Sequence, residues 1–272
     1  MRGTSRQSLA AAEERVEPLL GTLDPAVAAE VGGELFAVAR LLDSSGTLRR
    51  ALTDPSRDGQ DKAALVDRLL EGKVSDATRD LVAGLARDRW SQARDIADAA
   101  EHLGVVAVLA AAERQGVLDA VEDELFRFAR LVEGHRELGQ ALGSREAPLE
   151  DRTALVRRLL EGKVHEPTLV LAVQAVTHPR GRSVPDALDA FGAVAARRRQ
   201  RLLARVTAAV PLTEDQRERL ARLLERLYGT TMRLNVEVDP EIVGGLRIQV
   251  GDEVIDASVL SRLDDARRRL AG

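Results

Sequence analysis

ELFAVARL at 34–41 returns as ELFRFARL at 124–131, and ALVDRLLEGKV at 64–74 returns as ALVRRLLEGKV at 154–164. Both pairs are offset by ninety positions without a gap, and Leu48, Ala51 and Leu52 match Leu138, Ala141 and Leu142 at the same offset. A tandem copy of one helical unit is the economical explanation. Leu35, Val38, Leu41 and Leu42 follow helical spacing, and Ala64, Leu65, Arg68 and Leu69 do so again. The repeated Gly-Lys is not a phosphate loop, because the spaced first glycine and the Ser or Thr after Lys are missing. Gly72 and Gly162 suit the left-handed residue that ends a helix, and Lys73 and Lys163 suit its negative C-terminal end.

Between the copies, SQARDIADAAEHLGVVAVLAAAERQG at 91–116 has no Pro and few breakers. It predicts one long helix that closes the first bundle and opens the second. At the same offset, its second half aligns with the helix expected near 8–20. Its start aligns with GRSVPDALDAFGAVAARRRQRLLA at 181–204. The expected division is a first helical bundle over 1–112, a second over 113–204, and a C-terminal α/β domain over 205–272. The helix near 91–116 is shared between the bundles.

After residue 204 the period changes. ARVTAAVPL places Val206, Ala208 and Val210 on one face of a strand that Pro211 ends. Thr213 and Gln216 have capping-box spacing ahead of a helix with an apolar stripe of Leu220, Leu223, Leu224 and Leu227. A second strand follows, with Met232, Leu234, Val236 and Val238 on one face. In VGGLRIQVGDEVIDAS, 243–258, Gly244-Gly245 precedes a strand of Leu246, Ile248 and Val250. A phosphate-binding glycine loop opens a helix instead. Gly251-Asp252 reads as a hairpin turn, Val254 and Ile255 as its return strand, and Asp256 and Ser258 as caps of a last helix. The fold class is thus mostly α: a duplicated N-terminal helical bundle and a small β-α-β-β-α domain.

Composition narrows the function. A net charge of −4 supplies no positive field for nucleic acid, and 2% aromatic residues provide no base-stacking platform. The RRRQR run at 197–201 reads as a solvated helix face. No cysteine is present, which removes disulfides, thiolate metal sites and a Cys nucleophile. The N-terminus has charges where a signal peptide needs an apolar stretch. LGVVAVLAAA at 103–112 is far short of the roughly 20 residues that cross a bilayer. His102, His135, His165 and His178 show no zinc-ligand spacing, and no Ser sits in a nucleophile elbow. Asp252, Glu253 and Asp256 are the one imaginable carboxylate cluster, and turn and cap chemistry accounts for them. No catalytic, cofactor-binding or metal residues are expected, and no cofactor. The residues alone describe an interaction protein with an unidentified partner. A helical-repeat adaptor remains open, as does an enzyme acting at the tail carboxylates.

The tail, 206–270, resembles the C-terminal domain of the delta subunit of bacterial F-type ATP synthase, the family of the mitochondrial oligomycin-sensitivity-conferring protein. Val206, Ala209, Pro211 and Leu212 match its strand motif. Asp239, Pro240, Gly244, Gly245, Gly251, Asp252, Ile255, Asp256 and Ser258 follow in its order and spacing. Gly181-Arg182 before a long helix also resembles the family. Members usually have a single helical bundle, and the extra ninety residues resemble the elongated delta subunits of high-GC Gram-positive bacteria. The resemblance implies a noncatalytic peripheral-stalk subunit that links the α3β3 head to the b subunits and resists rotor torque during ATP synthesis. It implies a location on the cytoplasmic face of the plasma membrane, peripheral through the complex. It also implies that the first and fifth helices of a bundle, here near 8–20 and 75–88, bind N-terminal helices of alpha subunits. Leu9, Val16, Leu81 and Leu85 are then candidate groove residues, with burial in the bundle core as the competing role.

Overall fold

Twelve helices and four strands form among the residues described by the computed structural model, which are 1, 3–144, 146–201, 203–228, 232–239, 244–250 and 253–256. They fall into two compact units, Met1–Ala195 and Ala196–Gly272.

The repeat governs the first unit. Helices α2 (Pro25–Ser44), α3 (Gly46–Thr53), α4 (Gly59–Leu70) and α5 (Asp76–Arg87) return as α7 (Leu118–Gly134), α8 (Arg136–Gly143), α9 (Leu149–Leu160) and α10 (Glu166–Thr177). The bounds of the last three keep the ninety-residue offset at both ends. Helix α1 (Gly3–Thr22) precedes the first set, α11 (Val184–Arg201) follows the second, and α6 (Asp95–Arg114) stands between them. Helix α6 packs against α1, α2, α3 and α5 of the first copy and against α7 and α10 of the second. It therefore touches helices of both copies. This dual packing explains its composition: sixteen of its twenty residues are buried, so it has no polar face to show.

The repeated ends are built as expected. Gly72 and Gly162 have φ of +67° and +73°, and stop α4 and α9. Lys73 Nζ donates to Leu69 O at 2.9 Å and Lys163 Nζ to Leu159 O at 3.0 Å, satisfying last-turn carbonyls. The buried face of α4 differs from expectation. It is Lys62, Ala63, Val66 and Leu70, while Ala64 and Arg68 are exposed. Lys62 buries its aliphatic stem and brings Nζ to Asp88 O at 3.4 Å, so a cation sits on the inner stripe.

Helices α2 and α6 approach each other closely at two glycines. A Cβ built on Gly32 would lie 2.6 Å from Val108 Cγ2 and 3.0 Å from Gly104 O. One built on Gly104 would lie 2.7 Å from the Phe36 ring and 3.0 Å from Gly32 O. The two glycines let the backbones touch.

In the second unit, β1 (Leu203–Ala208), β2 (Arg233–Val238), β3 (Leu246–Val250) and β4 (Glu253–Asp256) form one sheet in the order β2-β1-β3-β4. Strand β1 is parallel to β2, with Val206 opposite Val236, and antiparallel to β3, with Val206 opposite Ile248. The β1–β2 connection is α12 (Glu214–Tyr228). Its capping box is formed: Gln216 N donates to Thr213 Oγ1 at 3.3 Å and Thr213 N to Gln216 Oε1 at 2.9 Å. Leu220 and Leu224 join Ala204, Val206, Met232, Ile248 and Val250 in the core. Leu223 and Leu227, expected on the same stripe, are 47% and 65% exposed, and Val238 and Val210 are exposed too. Leu220 and Leu224, one turn apart, form the ridge that meets the sheet, and Leu223 and Leu227 lie on the solvent side of it. Gly244 and Gly245 take φ of +135° and +85° immediately before β3, which identifies them as bend residues. Val250 stands opposite Glu253 across the β3–β4 hairpin. Its turn, Gly251-Asp252, lies outside the described residues, as do Ser258 and the last helix.

Candidate functional site

Helices α1 and α5 lie side by side. Their inner stripes are set by spacing. Helix α1 buries Ser5, Ser8, Ala12, Val16 and Leu20, and α5 buries Leu81, Val82 and Leu85 among others. Of the four candidate groove residues, Val16 and Leu85 have no exposure, Leu81 is 9% exposed, and Leu9 is partly exposed. The first three are thus core residues that hold the two helices together, and Leu9 alone retains accessible surface. What the pair shows to solvent is smaller and more polar: Ala10, Ala11, Glu14, Asp80, Gly84 and Arg87. Arg15 runs across α5, where a Cβ on Gly84 would meet its Nε at 3.5 Å, and pairs with Asp88 at 2.5 Å.

Polar contacts fix α1 in place. Ser5 Oγ donates to Asp95 Oδ2 at 2.6 Å and Ser8 Oγ to Arg89 O at 2.6 Å. His102 pairs with Glu13, and Arg114 donates to Gly21 O and Leu23 O. Trp90 is buried and donates Nε1–H to Leu85 O at 2.8 Å, which places it in structure and not in ligand stacking.

Two residue sets escaped the sequence reading. The first is the glutamate that begins each ELF repeat. Glu34 accepts from Ser75 N at 2.8 Å, Ser75 Oγ at 2.6 Å and Thr78 Oγ1 at 2.5 Å. Ninety residues later Glu124 accepts from His165 N at 3.1 Å, His165 Nδ1 at 2.8 Å and Thr168 Oγ1 at 2.5 Å. Each carboxylate caps the N-terminus of the fifth helix of its copy from the second helix. Burial pushes the Glu124 carboxyl up, but the hydrogen bonds from Thr168 and His165 outweigh it and leave it below the ordinary glutamate value. The signal was present, since the repeat keeps Glu at one end and Thr at the other.

The second set surrounds Arg180, the one non-glycine residue with positive φ among those described, at +53°. Its side chain is 5% exposed. It reaches Asp43 of α2 at 3.1 Å, Asp98 of α6 at 2.6 Å and Ala97 O at 3.0 Å. Arg182 pairs with the buried Glu101 at 2.7 Å, and Gln174 Nε2 donates to the other Glu101 oxygen at 3.2 Å. The loop between α10 and α11 thereby fastens the second copy to α2 and α6. Gly181-Arg182, noted from the sequence, belongs to this fastening.

The two remaining histidines make local contacts. His135 Nδ1 donates to Leu131 O at 2.8 Å and His178 Nδ1 lies 2.8 Å from Thr177 Oγ1. Among the described residues, no three His, Asp or Glu side chains converge where a metal ion could sit, and no helix is long and apolar enough to cross a membrane.

Known proteins are similar to this chain over its full length. The family model for the ATP synthase delta (OSCP) subunit matches residues 105–270. The ATP synthase subunit delta of Beutenbergia cavernae is 54% identical over 272 residues, covering 100% of both chains. That of Kineococcus radiotolerans is 51% identical over 270 residues, 99% of this chain and 98% of its own. A chain in the cryo-EM structure of the Toxoplasma gondii mitochondrial ATP synthase hexamer aligns at a TM-score of 0.32 and 17% identity, over 62% of this chain and 95% of that one. That likeness is too low to transfer an arrangement.

Proposed function

The chain belongs to the ATP synthase delta (OSCP) subunit family, and from that premise we propose how it serves as a noncatalytic stator subunit of the F-type ATP synthase. The first helical copy holds the α3β3 head through N-terminal helices of alpha subunits, along the α1/α5 face. The C-terminal domain, 205–272, engages the b subunits. The copies 1–112 and 113–204 form the span between these ends. The complex holds the chain at the cytoplasmic face of the plasma membrane, without insertion of its own.

The observation that supports this reading best is α6. It is largely buried and packs against helices of both copies, which supports a span without a flexible joint. A stator must carry torque between its ends, and packed helices that share a member do so without chemistry. An amphipathic partner helix on a helical pair is a recurrent mode of recognition. Two attachment points acting together give the slow release that steady load requires.

The test uses the full chain immobilised on a sensor surface. Its own organism's α3β3γ head should bind and leave slowly. A head whose alpha subunits lack their N-terminal helix should lose most of that affinity. The soluble portion of the b subunit, applied separately, should bind in either case. Head binding that survives the deletion would remove the alpha-helix contact. Binding of neither head nor b would leave a helical-repeat adaptor with another partner.

A further inference from the structure

The two copies share a plan but not a surface. We infer that the chain carries a single helix-docking face, in the first copy, and that the matching face of the second copy is sealed by the chain's own residues. This rests on the alpha-subunit reading of the α1/α5 face given above.

At the ninety-residue offset, α1 and α5 correspond to α6 and α10. Helix α1 buries five of its twenty residues and α6 buries sixteen. The difference falls on the face in question. Ala11 and Gly84 are small and partly exposed in the first copy. Their counterparts are Glu101 and Gln174, which are 5% and 4% exposed and hydrogen-bonded to each other. Arg182 closes over Glu101, and Arg180 ties the adjoining turn of α6 to Asp43 of α2. Sequence follows burial: Gln7 and Arg15 on α1 become Ala97 and Val105 on α6, both buried. A polar, solvated position in one copy is an apolar, covered one in the other. An incoming helix would have to break the Arg180 and Arg182 contacts and lift α2 from its glycine-to-glycine seat on α6. The duplication therefore adds length without adding a second docking site.

The chain has no cysteine, so single thiols report accessibility cleanly. Gln7→Cys and Ala97→Cys probe the same repeat position, exposed in one copy and fully buried in the other. In the intact chain, Gln7→Cys should react with a disulfide reagent like a free thiol. Ala97→Cys should react at least about a hundredfold more slowly, because it needs local opening. A synthetic peptide of the alpha subunit's N-terminal helix, at about ten times its Kd, should slow Gln7→Cys about tenfold. Calorimetry on the unsubstituted chain should give one peptide per chain. Rapid labelling of Ala97→Cys in a folded chain, or two peptides per chain, would overturn the inference. Slow labelling of Ala97→Cys with no effect of peptide on Gln7→Cys would uphold the seal and remove the alpha-subunit reading instead. If Ala97→Cys does not fold, the calorimetric stoichiometry decides.

Discussion

Gly32 and Gly33 stand side by side in α2, yet alanine should act oppositely at the two. Both substitutions gain helix propensity, up to about 1 kcal/mol. At Gly33 nothing lies within 4 Å of the added methyl group, so Gly33→Ala keeps that gain. At Gly32 the methyl group would stand 2.6 Å from Val108 Cγ2, 3.0 Å from Gly104 O and 3.2 Å from Val108 N. The valine methyl can turn aside, but the two backbone atoms cannot. The helices must therefore part by a few tenths of an ångström, and the Phe36 ring over Gly104 must move with them. Overpacking of this kind costs about 1–3 kcal/mol. Less the propensity gain, Gly32→Ala should lose about 1 kcal/mol, against a gain of similar size for Gly33→Ala. In a unit of this size each kcal/mol moves Tm by about 2–4 °C. Thermal unfolding followed by far-UV circular dichroism should thus separate the variants by at least about 4 °C. If Gly32→Ala melts at or above Gly33→Ala, the close approach of α2 and α6 does not hold.

The caps and the loop make two further predictions. Glu124→Gln should cost about 1 kcal/mol at neutral pH through weaker capping of α10. Because the folded carboxyl titrates below the ordinary value of 4.5, its contribution is present above that value and is lost as pH falls through the lower folded one. Urea unfolding of the variant and the unsubstituted chain should therefore converge as pH falls below the ordinary glutamate value, and a gap that stays constant well below it would exclude an ionised cap. Arg180→Ala should cost about 2 kcal/mol, less than a fully buried pair because Asp43 and Asp98 are about a third exposed. Arg180→Gly should be milder by about 1 kcal/mol, since glycine adopts the +53° backbone without strain. Equal melting of the two variants would show that the conformation stores nothing.

What the sequence disclosed and what it withheld divide along physical lines. Local rules were readable. The repeat offset placed α8, α9 and α10 from α3, α4 and α5, and the Gly-Lys ends and the Thr213–Gln216 box follow from backbone chemistry within a few residues. Contacts between distant segments were not readable. Nothing within a few positions of Gly32 separates it from Gly33, because the difference lies in α6, more than seventy residues away. Lys62 hides the buried face of α4, since a buried lysine whose tip is held by Asp88 O looks polar in any periodic count. Val16 and Leu85 fit a groove and a core equally well by spacing. Only packing decided for the core, and it leaves Leu9 and the small residues Ala11 and Gly84 at the accessible face.

A duplicated bundle could have been joined by a linker, and for a stator the difference is decisive. Two bundles on a flexible connection relax under torque by turning at the joint, so work done at one end never reaches the other. Here the connection is α6, which packs against helices of both copies. Rotating one copy against the other would expose its alanines and valines, separate the α2–α6 seat at Gly32 and Gly104, and break the Arg180 and Arg182 contacts together. These costs arise at once because they lie along one helix, and that coupling makes the span resist twisting as one body. The same coupling seals the face that the second copy would otherwise offer. Stiffness and a second docking site compete for the surface of α6, and the apolar residues along it show which one the chain has taken.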